Sequence, residues 1–146
     1  MAVTPREVFE LTVALMDELS WPAGEADVAE NRDFKARVLP LLTLLQGECL
    51  PFCEGYALTD GGRRPACPPV TAFEEPIPGL DDAMCRTVLP YGLAAHLLLE
   101  ENPAAADFFQ QKYTENRALM HALLPVTTGG VEDVYGGVEH GSFGRW

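Results

Sequence analysis

Between Glu54 and Leu80 the chain carries no hydrophobic period, while on either side apolar residues recur at helical spacing. No short motif constrains the fold as much. It predicts helical segments joined by a stretch dense in Gly61-Gly62, Pro65, Pro68-Pro69, Pro76, Pro78 and Gly79. A structureless stretch of that length is unusual inside a small domain. It is expected either to be a functional loop or to contain short strands, with Val70-Thr71-Ala72-Phe73 as the best strand candidate.

The helical segments announce their own ends. Thr4-Pro5-Arg6-Glu7 opens the first, with Thr4 as cap, Pro5 at the first helical position and Glu7 completing a capping box. Its stripe is Val8, Leu11, Leu15 and Leu19, and Trp21-Pro22-Ala23-Gly24 stops it near Ser20. Asn31 caps a second helix whose face is Phe34, Val38, Leu41 and Leu45. Pro40 lies inside it and predicts a kink, because the ring removes a donor and clashes with the Ala36 carbonyl. Asp81-Asp82 open a third helix through Met84, Val88, Tyr91, Ala95 and Leu99, interrupted by Pro90. Gly92, Ala94 and Ala95 leave room for a neighbouring helix. Asn102-Pro103 starts a fourth, carrying Ala105, Phe109, Tyr113, Met120 and Leu124 and ending by Pro125. The expected organisation is a helical domain over residues 1–126, with an irregular loop at 54–80, and an extended or β-prone C-terminal arm over 127–146. The fold class is mainly α, a small bundle of about four helices.

The chain has 146 residues, enough for one domain, and 47% of them are apolar, which argues against wholesale disorder. Its 22 acidic and 10 basic residues give a net charge of -12. Sequence-independent DNA binding needs lysines and arginines to displace counterions, so this balance argues against it. No secretory signal is visible at the N-terminus, and the apolar runs fall short of a membrane span. The expectation is a soluble protein made in the cytoplasm, with its cysteines mostly as thiols.

Chemistry-bearing residues are sparse. Cys49 and Cys53 are close, but Cys67 and Cys85 are spread across a loop and a helix start, which is poor zinc spacing. Buried or half-buried thiols are the better reading. His96 has Glu100 four residues on, His121 sits where a helix end favours a cation, and His140 stands beside Glu139. None of the three has a partner set for catalysis or metal binding. The acidic pairs Asp17-Glu18, Glu74-Glu75, Asp81-Asp82 and Glu100-Glu101 are explained by capping and solvation. No phosphate-binding glycine loop, nucleophile elbow or zinc-protease motif occurs. No cofactor and no enzymatic activity are expected.

Residues 79–120 do carry a recognisable order of features. An acidic helix start, Asp81-Asp82, is followed by Tyr91-Gly92-Leu93-Ala94-Ala95-His96-Leu97-Leu98. A break at Glu101-Asn102 and a second helix with Phe108-Phe109-Gln110-Gln111-Lys112-Tyr113 complete it. This order resembles the head–tail connector (adaptor) proteins of tailed phages and prophages. The Phe34–Leu45 helix and the glycine-rich aromatic end are similar to uncharacterised prophage proteins of that kind.

The resemblance implies a virion structural protein that forms a ring, commonly of twelve copies, beneath the portal. Such a ring extends the DNA channel and receives the next neck or tail protein. DNA passes through without sequence-specific recognition, and no membrane is involved. The acidic surface then suits a channel wall that repels DNA. The arm residues Tyr135, Gly136, Gly137, Phe143 and Trp146 are the candidates for gripping the portal or a neighbouring subunit. The competing reading of the arm is that it covers this protein's own core. The alternative function is a small cytoplasmic helical regulator or metal-binding module using Cys49, Cys53, Cys67 and Cys85.

Overall fold

The computed structural model describes residues 2–16, 32–53, 56 and 61–123. Among the described residues five α-helices follow one another: α1 (Pro5–Met16), α2 (Arg32–Cys49), α3 (Asp82–Thr87), α4 (Leu89–Leu97) and α5 (Pro103–Ala122). A 3-10 turn, Leu50–Phe52, extends α2. The protein is a mainly α bundle, with no strand among the described residues. The C-terminal arm, 127–146, lies outside them, as do residues 17–20 at the expected end of the first helix and the expected cap Asn31.

α4 is the hub, packed against α5, α1 and α2. Its sequence explains that place: Leu89, Pro90, Gly92, Leu93, Ala94, Ala95 and Leu97 are all buried, and a helix apolar on every side must be enclosed. Gly92 is the close-approach point. A Cβ there would lie 2.8 Å from Tyr113 of α5 and 2.9 Å from Leu45 of α2.

The expected third helix is two helices. Pro90 has no N–H and its ring opposes the Arg86 carbonyl, so the first run stops at Val88 and a new helix starts with Pro90 in its first turn. This second run ends at Leu97, which leaves Leu99 exposed rather than on the buried stripe. α2, by contrast, continues through Pro40. Ala36 and Pro40 both face solvent there, so water can take the carbonyl that loses its donor.

α1 buries a different face from the one expected. Pro5, Val8, Phe9, Thr12 and Val13 are buried, whereas Leu11 is exposed and Leu15 is half-buried. Thr12 disguised that face. Its hydroxyl donates to the Val8 carbonyl at 2.7 Å and reaches the Pro90 carbonyl at 3.5 Å, so a polar residue sits on the core side with its hydrogen bonds made. The capping box is half formed. Thr4 Oγ1 accepts from the Glu7 N–H at 3.4 Å, but the Glu7 carboxylate turns to Arg86 at 2.8 Å. At the other helix starts, Asp81 accepts from Met84 N–H at 2.8 Å and Asn102 from Ala105 N–H at 3.2 Å.

The segment before α3 is neither a free loop nor a strand. Two polar side chains of α2 hold it. Thr43 Oγ1 accepts from Val70 N–H at 3.1 Å, and Gln46 Nε2 donates to the Pro68 and Pro78 carbonyls at 3.1 and 2.8 Å. The start of α1 holds it from the other side: Arg6 N–H donates to the Phe73 carbonyl at 3.2 Å, and the Val3 carbonyl accepts from Ile77 N–H at 3.1 Å. Val70 therefore spends its main-chain groups on α2 and Phe73 its carbonyl on α1, which is why Val70–Phe73 makes no strand. Val70 and Ile77 are thereby buried in the main core.

Candidate functional site

α5 presents the clearest unsatisfied surface. Its buried stripe is Ala106, Phe109 and Tyr113, facing α4 and the end of α2. Phe108 is one residue off that stripe, rotated by about 100°. Leu119 lies about three turns further along the same line, with Leu123 just past the helix end. Phe108, Leu119 and Leu123 are 53%, 51% and 68% exposed. Adjacent phenylalanines in a one-sided helix cannot both be buried, and that was the signal in the sequence for this outward face.

Phe108 also forms one wall of a groove of about 510 Å³ between α1, α4 and α5. Leu15, Met16, Tyr91, Leu98, Ala105 and Phe109 supply the other apolar walls, and Asn102 and Lys112 are polar groups at its edge. Phe109 orders the floor, with Phe108 edge-on at 5.5 Å between ring centroids and Tyr91 tilted at 6.3 Å. Such a groove can take an apolar or aromatic side chain, and Lys112 can meet a carboxylate beside it. Lys112 is one of only two lysines in a chain of net charge -12. A smaller groove of about 330 Å³ runs between the Pro68–Ala72 and Glu75–Pro78 stretches.

A polar cluster closes the α2 end of the bundle. Tyr113 Oη donates to Glu48 at 2.7 Å and contacts Cys49 Sγ at 3.5 Å. The Arg117 guanidinium stacks over the Phe52 and Tyr113 rings, 4.6 and 5.0 Å from their centroids, and its Nη1 donates to Tyr113 Oη at 3.4 Å. Burial, with the Cys49 contact and the Glu48 carboxylate added, raises the Tyr113 phenol well above its ordinary value. In the sequence Tyr113 stands on the apolar stripe of the fourth helix and at the end of the Phe108–Tyr113 pattern, neither of which shows its hydroxyl's partners. The helical spacing of Tyr113 and Arg117 was the available clue.

The four cysteines gather in the same region. Cys49, Cys53 and Cys85 are buried, Cys67 is half-buried, and all are thiols. Burial pushes Cys49 up to about 11, and burial together with Asp81 and Asp82 pushes Cys85 up to about 12. Burial raises Cys53 and Cys67 as well. Among the described residues no group of three or more His, Cys, Asp or Glu side chains is placed to hold a metal ion.

The other residues singled out in the sequence stay apart. His96 does not share a helix with Glu100, because α4 ends at Leu97. His121 meets the Phe52 ring edge-on at 5.5 Å. Glu74 pairs with Arg6, and Asp82 lies 3.8 Å from Arg86. His140, Asp17-Glu18 and the arm residues Tyr135, Gly136, Gly137, Phe143 and Trp146 lie outside the described residues. No described helix is long and apolar enough to cross a membrane. In comparisons with known proteins, no family model, no curated protein and no solved structure matches the chain.

Proposed function

We propose that this chain is a non-enzymatic structural subunit of a tailed-phage or prophage particle. It acts as an adaptor at the head–tail interface, assembling with copies of itself into a ring below the portal and extending the DNA channel. The observation that supports this most is the apolar outer face of α5, Phe108, Leu119 and Leu123, beside the groove between α1, α4 and α5. Large exposed apolar side chains beside an apolar groove mark a candidate interaction surface, here with Lys112 and Glu115 between Phe108 and Leu119 along the helix. Here Phe108 and Leu119 lie within 79–120, the stretch that carries the resemblance. In this reading Tyr135, Phe143 and Trp146 anchor the arm on the portal or a neighbouring copy, and the acidic surface lines the channel.

The test is co-expression of the chain with the portal of its own genome, followed by size-exclusion chromatography and electron microscopy. The expected result is a ring on the portal, lost in the double variant F108D/L119D while that variant stays folded. A chain that ignores the portal and purifies with stoichiometric zinc would overturn this reading in favour of the regulator or metal-module alternative.

A further inference from the structure

Two cysteines converge on one short turn. Cys67 Sγ donates to the Pro78 carbonyl at 3.5 Å, and Asp81, three residues on, lies beside Cys53, whose Sγ donates to the Cys49 carbonyl at 3.5 Å. Gly79 lies between them with φ of +80°. A Cβ on it would fall 2.8 Å from Cys67 Sγ and 3.1 Å from Leu50 Cδ1. Leu50 in turn accepts from the Cys53 N–H at 3.1 Å. Thus the absence of a side chain at Gly79 lets Cys67 close onto the 3-10 turn that ends in Cys53. Gln46 fixes the same place by holding the Pro78 carbonyl.

The other two thiols are committed elsewhere. Cys49 Sγ faces Tyr113 Oη, and Cys85 is 1% exposed in the core. Cys67 is the one cysteine of the four with partial access to solvent.

We propose that Cys53 and Cys67 are an oxidisable pair, joined by a peroxide into an intramolecular disulfide that ties Cys67 to the end of α2. Cys67, as thiolate, attacks a peroxide oxygen. An S–O bond forms, the O–O bond breaks, and with hydrogen peroxide the leaving oxygen departs as water after taking a proton. The Cys53 thiolate then attacks that sulfenyl sulfur, forming S–S and releasing the second oxygen as water. Two thiols lose two electrons and two protons, and the peroxide is reduced to two waters. Both thiols are held above their ordinary value by burial, so oxidation is slow near neutrality and accelerates as pH rises.

The experiment treats the full chain, purified with reductant, with hydrogen peroxide, and reads intact mass and a non-reduced peptide map. The expected product has lost two hydrogens, links Cys53 to Cys67, and melts several degrees above the reduced protein until dithiothreitol returns it. C67S and C53S abolish the loss of two hydrogens, C53S leaving Cys67 at the sulfenic acid or beyond, while C85A keeps it. The map of the unaltered chain decides the matter even if a variant folds poorly. A Cys67 sulfinic acid without a crosslink, linkage of Cys67 to Cys49 or Cys85, or a crosslink between chains would each overturn the proposal.

Discussion

Replacing Gly92 with alanine sets two effects of opposite sign against each other. Alanine favours a helix interior over glycine by about 1 kcal/mol. Against that, the new Cβ lies 2.8 and 2.9 Å from two carbons of the Tyr113 ring and 2.9 Å from Leu45 Cδ2. Neither neighbour can retreat easily. Leu45 is 0% and Tyr113 1% exposed, and the Tyr113 ring is tethered to Glu48 at 2.7 Å and covered by Arg117. Overpacking a close-packed core costs about 1–3 kcal/mol, and three contacts this short place Gly92→Ala near the upper end. The net expectation is a loss of about 2 kcal/mol. In a domain of this size that is about 6–8 °C in Tm. Gly47 is the internal control. It lies in a helix too, in α2, but a Cβ there meets nothing within 4 Å, so Gly47→Ala should gain up to about 1 kcal/mol. Urea unfolding followed by circular dichroism measures both, as shifts of midpoint at constant slope. If Gly92→Ala stabilises the protein as Gly47→Ala does, α2, α4 and α5 do not meet at Gly92 as described.

Three further outcomes follow from the same contacts. Gln46→Ala removes two hydrogen bonds to partly covered carbonyls and should cost about 2–3 kcal/mol, with earlier proteolysis within 63–80; unchanged stability and cleavage would mean the segment does not depend on α2. Cys49 and Cys85 have thiol values raised from 9.0 to about 11 and about 12, so the folded chain holds protons that the unfolded chain releases. Their contribution is complete below pH 9.0 and is lost as pH rises through about 11 and about 12, so urea midpoints should fall across that window, and less steeply in a C49A/C85A background. F108D/L119D should cost about 1–2 kcal/mol, because both side chains are about half exposed and Phe108 packs edge-on against Phe109; a collapse of the fold would place them in the core instead.

Helix existence and caps were legible because they are local. Asp81, Asn102 and Pro103 do at their helix start what their chemistry dictates. The stripe of α5 was legible at Phe109 and Tyr113, which have no polar competitor, but its buried alanine is Ala106 and not Ala105, and Leu124 lies outside the described residues. What misled was tertiary. Thr12 reads as a surface residue until the Pro90 carbonyl stands opposite it, and the face of α1 was therefore drawn through Leu11 and Leu15. Pro40 and Pro90 look alike in sequence, yet the first rides on a wet helix face and the second divides two helices inside the core. The order of the central segment was hidden because its partners, Thr43 and Gln46, sit in a helix far along the chain. At the candidate site, Phe108 was quoted in the sequence as part of a pattern, but its exposure and the groove beside it needed the packing of α1 on α4 and α5. The arm residues remain a sequence-based part of the account.

The central claim is that this chain is a neck-ring subunit, and its copy number in particles tests that most directly. Particles produced by inducing the source genome, purified intact and analysed by quantitative mass spectrometry against the portal, should contain about a dozen copies of the chain, in step with the portal. Hundreds of copies would assign it to the capsid or tail tube, and its absence from intact particles would contradict the claim.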